Sequence, residues 1–134
     1  MLESKYQSKI IKGIEALGGV VVNGNYSKAG EADLQCGYPL ELKSYIAADE
    51  LYTYPRFQRL KLLVHIAVEV KTEKDYHRVM RCINSDYTLN GKKGLKEHEP
   101  LQMAKIRRNR AKGGLALVAY SFEQVQEYVN ATTN

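Results

Sequence analysis

Asp33, Glu69 and Lys71 are the residues whose types and spacing could do chemistry. Along Val64 to Thr72, strand alternation puts Val64, Ile66, Val68 and Val70 on one face and His65, Ala67, Glu69 and Lys71 on the other. A carboxylate and an ammonium then stand side by side at the C-terminal end of a strand apolar enough to be central. Glu-x-Lys alone is a weak motif, equally at home as an ion pair where a strand surfaces. Asp33 adds weight, because it opens a second candidate strand, Ala32 to Cys36, on the face it shares with Gln35. Two carboxylates from neighbouring strands can hold a divalent cation through hard oxygen ligands, and the Val70 carbonyl could add a third oxygen. Lys71 would reach the attacking water or the scissile phosphate. The chemistry implied is metal-assisted hydrolysis of a phosphodiester.

The elements that must position these groups are legible from periodicity and punctuation. Tyr6, Ile10, Ile14 and Leu17 follow the 3.6 period of a helix over 2–17, stopped by Gly18-Gly19. Glu3 falls on the apolar stripe of that helix, either for the helix dipole or as a further carboxylate for a metal site. Val20-Val21-Val22 predicts a short strand closed by Asn23-Gly24, and Gly37 and Pro39 are expected to end the Ala32–Cys36 strand. Tyr76, Val79, Met80 and Ile83 suggest a short helix. Pro100 and Gly113-Gly114 bracket another, Pro100 to Ala111, whose Gln102, Lys105 and Asn109 form one polar stripe. Leu115 to Tyr120 is a compact strand. The Ser121-x-x-Gln124 capping box opens a last helix to about Val129, beyond which the tail is expected to fray. The tyrosine-rich stretch Leu40 to Leu63, holding Pro55, has only weak patterning. The chain reads as mixed α/β.

At 134 residues this is the size of one domain with a core of its own. No apolar run is long enough for a membrane span. Two cysteines, Cys36 and Cys82, and no leader-like N-terminus suggest free thiols in a cytoplasm rather than a disulfide scaffold. His65, His77 and His98 have no ligand spacing. The net charge of +5 is localised: Lys92 to Lys112 alone carries +6, leaving −1 for the other 113 residues. Such a segment is either a solvated helix face or a phosphate-binding one, through Lys92, Lys93, Lys105, Arg107, Arg108, Arg110 and Lys112.

Gly30-Glu31-Ala32-Asp33-Leu34, then Ala67-Val68-Glu69-Val70-Lys71-Thr72, then Gln102 ahead of Gly113-Gly114 and a strand, together resemble the virus-type replication-repair (VRR-NUC) nucleases of the PD-(D/E)xK superfamily. The resemblance runs from Glu3 to about Val129 and is closest to small stand-alone phage and bacterial members. It implies a restriction-endonuclease-like core, αβββαβ, with a central mixed sheet flanked by helices. It further implies Mg²⁺ or Mn²⁺ dependence, branched DNA as substrate and a homodimer similar to Holliday junction resolvases. Residue by residue, Asp33 and Glu69 match the metal ligands and Lys71 the catalytic lysine. Glu3 matches the carboxylate of the N-terminal helix, and Gln102 the glutamine of the later helix. Ala32 stands where the family carries proline, and the long spacings imply insertions near 38–63 and 74–98. The first of these holds a rival Glu41-Leu42-Lys43 in a weaker strand context, so Glu69 and Lys71 are favoured.

The expectation is therefore a single 1–134 nuclease domain acting in a host or bacterial cytoplasm. It would be a metal-dependent, structure-selective endodeoxyribonuclease leaving 5′-phosphate and 3′-hydroxyl ends. Two alternatives stay open: a monomeric flap or nicking nuclease, and a non-catalytic nucleic-acid-binding protein keeping the fold.

Overall fold

Two Gly-Gly pairs close two helices in the same way. In the computed structural model, which describes residues 3–23, 33–41, 61–84 and 95–133, α1 (Glu3–Ala16) ends where Gly18 takes φ +93° and Gly19 N donates to Ile14 O. At the end of α3 (Glu99–Ala111), Gly113 takes φ +86° and Gly114 N donates to Asn109 O. Both are the left-handed cap that glycine adopts without strain, and each turns the chain directly into a strand.

Those strands are β1 (Val20–Asn23) and β4 (Leu115–Ala119). Between them lie β2 (Leu34–Glu41), β3 (Lys61–Val70) and α2 (Glu73–Asn84), and α4 (Phe122–Thr133) completes the described chain. The four strands form one mixed sheet in the order β1-β2-β3-β4. The first two pairings are antiparallel, and β3 with β4 is parallel. This is a mixed α/β architecture with helices against both faces of the sheet.

Period-two alternation assigns the faces. Leu34, Cys36 and Tyr38 of β2, with Ile66, Val68 and Val70 of β3, pack under Ile10 and Ile14 of α1 and Val125 and Val129 of α4. Each fully buried aliphatic chain contributes about 1.5–3 kcal/mol, so this face is where most of the stability resides. The opposite face is thinner. Ala67 and Ala116 meet Ile106 of α3, and Val118 packs with Met103 of α3 and Val79 of α2. Glu69 belongs to this second face.

Four expectations are corrected. Gly37 and Pro39 do not end β2, which pairs with β3 out to Glu41 opposite Lys61. Pairing with β1 stops at Gly37, so Pro39 sits where one side of β2 no longer pairs with that strand and a missing N–H is tolerated. The strongest strand starts at Lys61 and stops at Val70, leaving Lys71 just beyond it. The last helix does not stop at about Val129. Thr132 and Thr133 carry hydroxyls that donate back to carbonyls of Tyr128 and Val129, and the helix runs to Thr133. Nor is the second helix short, since α2 has 12 residues. No described helix is long and apolar enough to cross a membrane.

Candidate active site

Register delivers the acidic pair. Leu34 lies opposite Val68, so the next step along the antiparallel ladder brings Asp33 level with Glu69. Asp33 Oδ2 accepts a hydrogen bond from Val70 N at 2.9 Å, which pins the carboxylate at the mouth of β2. Lys71 lies past the end of β3 but is held by one further rung, its N–H donating to Ala119 O at 3.1 Å. Thr72 then caps α2 by accepting from Asp75 N, so the chain turns away immediately after the lysine.

α3 supplies the other half. Gln102 Nε2 donates to Glu69 Oε1 at 2.8 Å, and Gln102 Oε1 accepts from Lys71 Nζ at 3.2 Å. One amide thus bridges the Glu and Lys of the Glu-x-Lys strand. One turn earlier on the same helix, Glu99 Oε2 stands 3.2 Å from Lys71 Nζ, closer than the 3.9 Å from Lys71 to Glu69. Arg78 of α2 grips Glu99 with two bonds of 2.8 Å, and Lys96 N donates to Glu99 Oε1 at 2.6 Å.

Glu69 and Glu99 are 2% and 1% exposed. Burial, reinforced by the charge of Asp33, pushes the Glu69 carboxyl up to about 9 against the pull of Lys71. Burial and Asp33 also raise Glu3, which is half-buried at the start of α1. For Glu99, burial would raise the carboxyl too, but the hydrogen bonds from Arg78 and Lys96 N and the charge of Lys71 outweigh it and hold it at about 2.

Glu69 Oε2 is the one buried side-chain oxygen or nitrogen among the described residues that has no hydrogen-bond partner. It lies beside a second carboxylate, so a proton shared with Asp33, a water or a cation between the two would satisfy it. No three His, Cys, Asp or Glu side chains converge as a ready-made metal set among the described residues. The carboxylate pair with its orphaned oxygen nevertheless suits a hard cation that takes its remaining ligands from backbone and water.

The structure brings together Asp33, Glu69, Lys71 and Gln102, and places Glu3 within their electrostatic reach. It divides the basic helix: Lys105, Arg108 and Lys112 line a recess with Glu69, whereas Arg107 and Arg110 line a separate depression near Tyr128. Arg110 is occupied there, its Nε donating to Ala116 O at 2.6 Å with the guanidinium over the Tyr128 ring. Lys92, Lys93, the rival Leu42 and Lys43, and most of the tyrosine-rich stretch lie outside the described residues, as does the side chain of Glu41. Sequence reasoning missed Glu99 and Arg78. The available signal was the three-residue spacing of Glu99 and Gln102, which stacks them on one helix face. Compared with known protein families, curated proteins and solved structures, the chain matches none.

Proposed function

We propose that the chain is a metal-dependent endonuclease of the restriction-endonuclease-like type, resembling the VRR-NUC nucleases, that hydrolyses phosphodiesters in branched DNA. The observation that carries this is the buried, unpartnered Glu69 Oε2 beside Asp33, with an ammonium from the same strand end two residues on. Buried structural carboxylates are normally satisfied, as Glu99 is. A carboxylate left incomplete at the end of a central strand is instead poised for a ligand.

Asp33 and Glu69, with the Val70 carbonyl, would hold Mg²⁺ or Mn²⁺, which when bound polarises a phosphoryl oxygen and acidifies a water. The chain's own side chains do the rest. Lys71 carries an ammonium to the phosphate and stabilises the charge that develops on its oxygens. Gln102 fixes the spacing of that ammonium from Glu69, and Glu99 anchors it from behind through a carboxylate that stays ionised. Glu3 adds negative potential at the acidic end of the site. The order α1β1β2β3, then α2, then α3β4α4, supports an αβββαβ core carrying two additional helices. A four-way junction presents two strands for near-symmetric cutting, so a homodimer with two such sites is the simplest resolvase.

The test is incubation with four-way junction, flap and linear duplex, each with Mg²⁺ and with chelator. Cleavage of branched DNA only in Mg²⁺ is expected, with Lys71→Ala losing most turnover and Lys43→Ala little. Binding without cleavage in every condition would replace the enzyme with the non-catalytic alternative. Light scattering with and without junction checks the dimer.

A further inference from the structure

Glu69 and Gln102 form one end of a recess of about 560 Å³ between α3 and the thinner face of the sheet. Along the wall formed by α3 and its C-terminal cap stand Lys105, Arg108 and the cap residue Lys112, at spacings of three and four residues that keep them on one side. From Lys105 to Lys112 they span about 10 Å of helix axis. The cations near the carboxylates are all engaged, Lys71 and Arg78 with Glu99 and Lys96 with Asp75. By contrast, none of the three recess cations takes part in an ion pair among the described residues. The apolar part of the lining is Ala67 and Ala116 with Ile106 of α3 packed against them, and Gln35 of β2 lines the recess as well. Three positive charges outside any ion pair, in a recess that also has an apolar lining and the buried Glu69 carboxyl, suit an anion that carries an apolar body.

We propose that this recess binds unpaired nucleotides of a DNA strand next to the phosphate to be cut. Lys105, Arg108 and Lys112 bind successive phosphates, and the apolar lining, Ile106 with Ala67 and Ala116, receives the nucleoside. Its volume lies in the range of small-ligand clefts, roughly 300–1,000 Å³, a size that takes nucleotide units one at a time and leaves a paired duplex on the rim. Phosphate recognition of this kind is indifferent to base identity. A strand must be unpaired to enter, which makes local opening at a branch the feature selected. The position relative to the cut rests on the nuclease reading, whereas the binding itself does not.

The probe is a short fluorescein-labelled oligothymidylate, alone and paired with its complement, titrated by anisotropy in chelator so that no cleavage occurs. Wild type is expected to bind the single strand several-fold more tightly than the duplex. Lys105→Ala, Arg108→Ala and Lys112→Ala should each weaken it several-fold and shrink the salt slope by about 0.7 for each phosphate no longer neutralised. Lys9→Ala, on the exposed side of α1 across the sheet, should change neither. Gln35→Tyr narrows the recess without altering charge, and should weaken the single strand while sparing the duplex. Thermal melting checks that each variant is folded. Equal losses from Lys9→Ala, a preference for duplex, or unchanged affinity in the three recess variants would overturn the proposal. If junctions are cut while that pattern fails, the recess assignment falls alone. If the pattern holds and nothing is cut in Mg²⁺, the nuclease reading falls and the single-strand site stands.

Discussion

Glu69 and Glu99 approach Lys71 from β3 and from α3, at 3.9 and 3.2 Å, and both are almost wholly buried. Their surroundings are otherwise opposed. Glu99 receives two guanidinium bonds, a backbone N–H and the lysine, and is held ionised at about 2. Glu69 receives one amide on one oxygen, nothing on the other, and the field of Asp33, which together with burial lifts it to about 9. Two carboxyls hidden from solvent thus take opposite protonation, because Glu69 is desolvated beside Asp33 whereas cationic and N–H donors around Glu99 offset its burial. The Glu99 region is complete within the protein and the Glu69 region is not. One anchors and the other waits for a ligand.

The largest expected effect separates them by function. Glu69→Gln or Asp33→Asn should lower Mg²⁺-dependent turnover on the order of 10³-fold or more, matching the several kcal/mol a bound cation contributes to the transition state. Denaturant unfolding of cation-free Glu69→Gln near pH 7 should show no loss of stability, since the carboxyl, lifted to about 9, is already neutral there and Gln replaces it with another neutral polar group. Near wild-type cleavage by either variant would break the comparison at its functional end.

Glu99→Gln should do the reverse. It leaves Arg78 and Lys71 facing a neutral amide and should cost about 3 kcal/mol of unfolding free energy, the low end for breaking a buried pair. Unchanged stability in urea would mean that Glu99 is not the completed anchor its bonds suggest.

Gln102→Ala removes the bridge between the two regions. A roughly 10- to 100-fold loss in turnover or cation affinity is expected, the range for residues that orient ligands without touching the metal. A fall in kcat with KM for DNA unchanged would show that the bridge sets the geometry of Lys71 and Glu69 rather than substrate binding.

The smallest effect is the pH dependence of stability, and its sign differs between the two glutamates. Glu69 has a folded value of about 9, above its ordinary 4.5. Its contribution is fully present below 4.5 and is lost as pH rises through about 9. Glu99 has a folded value of about 2, so its contribution is present above 4.5 and lost as pH falls through about 2. Cation-free protein should therefore weaken on both sides. Glu69→Gln should flatten only the alkaline limb, and Mg²⁺ should restore stability most toward its alkaline end. An alkaline limb unaltered in Glu69→Gln would place the titration elsewhere.

Local pattern carried the chain far toward this site. The alternation from Val64 to Val70 put Glu69 opposite the valines, and Gly18-Gly19 and Gly113-Gly114 marked two helix ends that both adopt the left-handed cap. Ser121 and Gln124 read as a helix start and are one: Ser121 Oγ accepts from Gln124 N, and Gln124 Oε1 reaches back to Tyr120 N. These features involve neighbours within about one turn or one strand, where periodicity and glycine stereochemistry suffice.

What local pattern could not supply was partnership across the chain. Pro39 reads as a strand end until the limit of β1 pairing shows why β2 passes through it. Glu99 reads as one acid in a basic segment until α2 packs beside α3 and brings Arg78, 21 residues away in sequence, onto both its oxygens. The helical period groups the bases of α3 but does not say which of them meet the sheet. Packing against Ala67 and Ala116 on one side and Tyr128 on the other divides Lys105, Arg108 and Lys112 from Arg107 and Arg110. Residue type and local period thus determined which groups could act and the strand face that Glu69 occupies. Whether a given charge ends up satisfied, orphaned or open to an anion was decided by tertiary structure alone, because a buried charge takes its energy from donors that only the folded chain brings within hydrogen-bond distance.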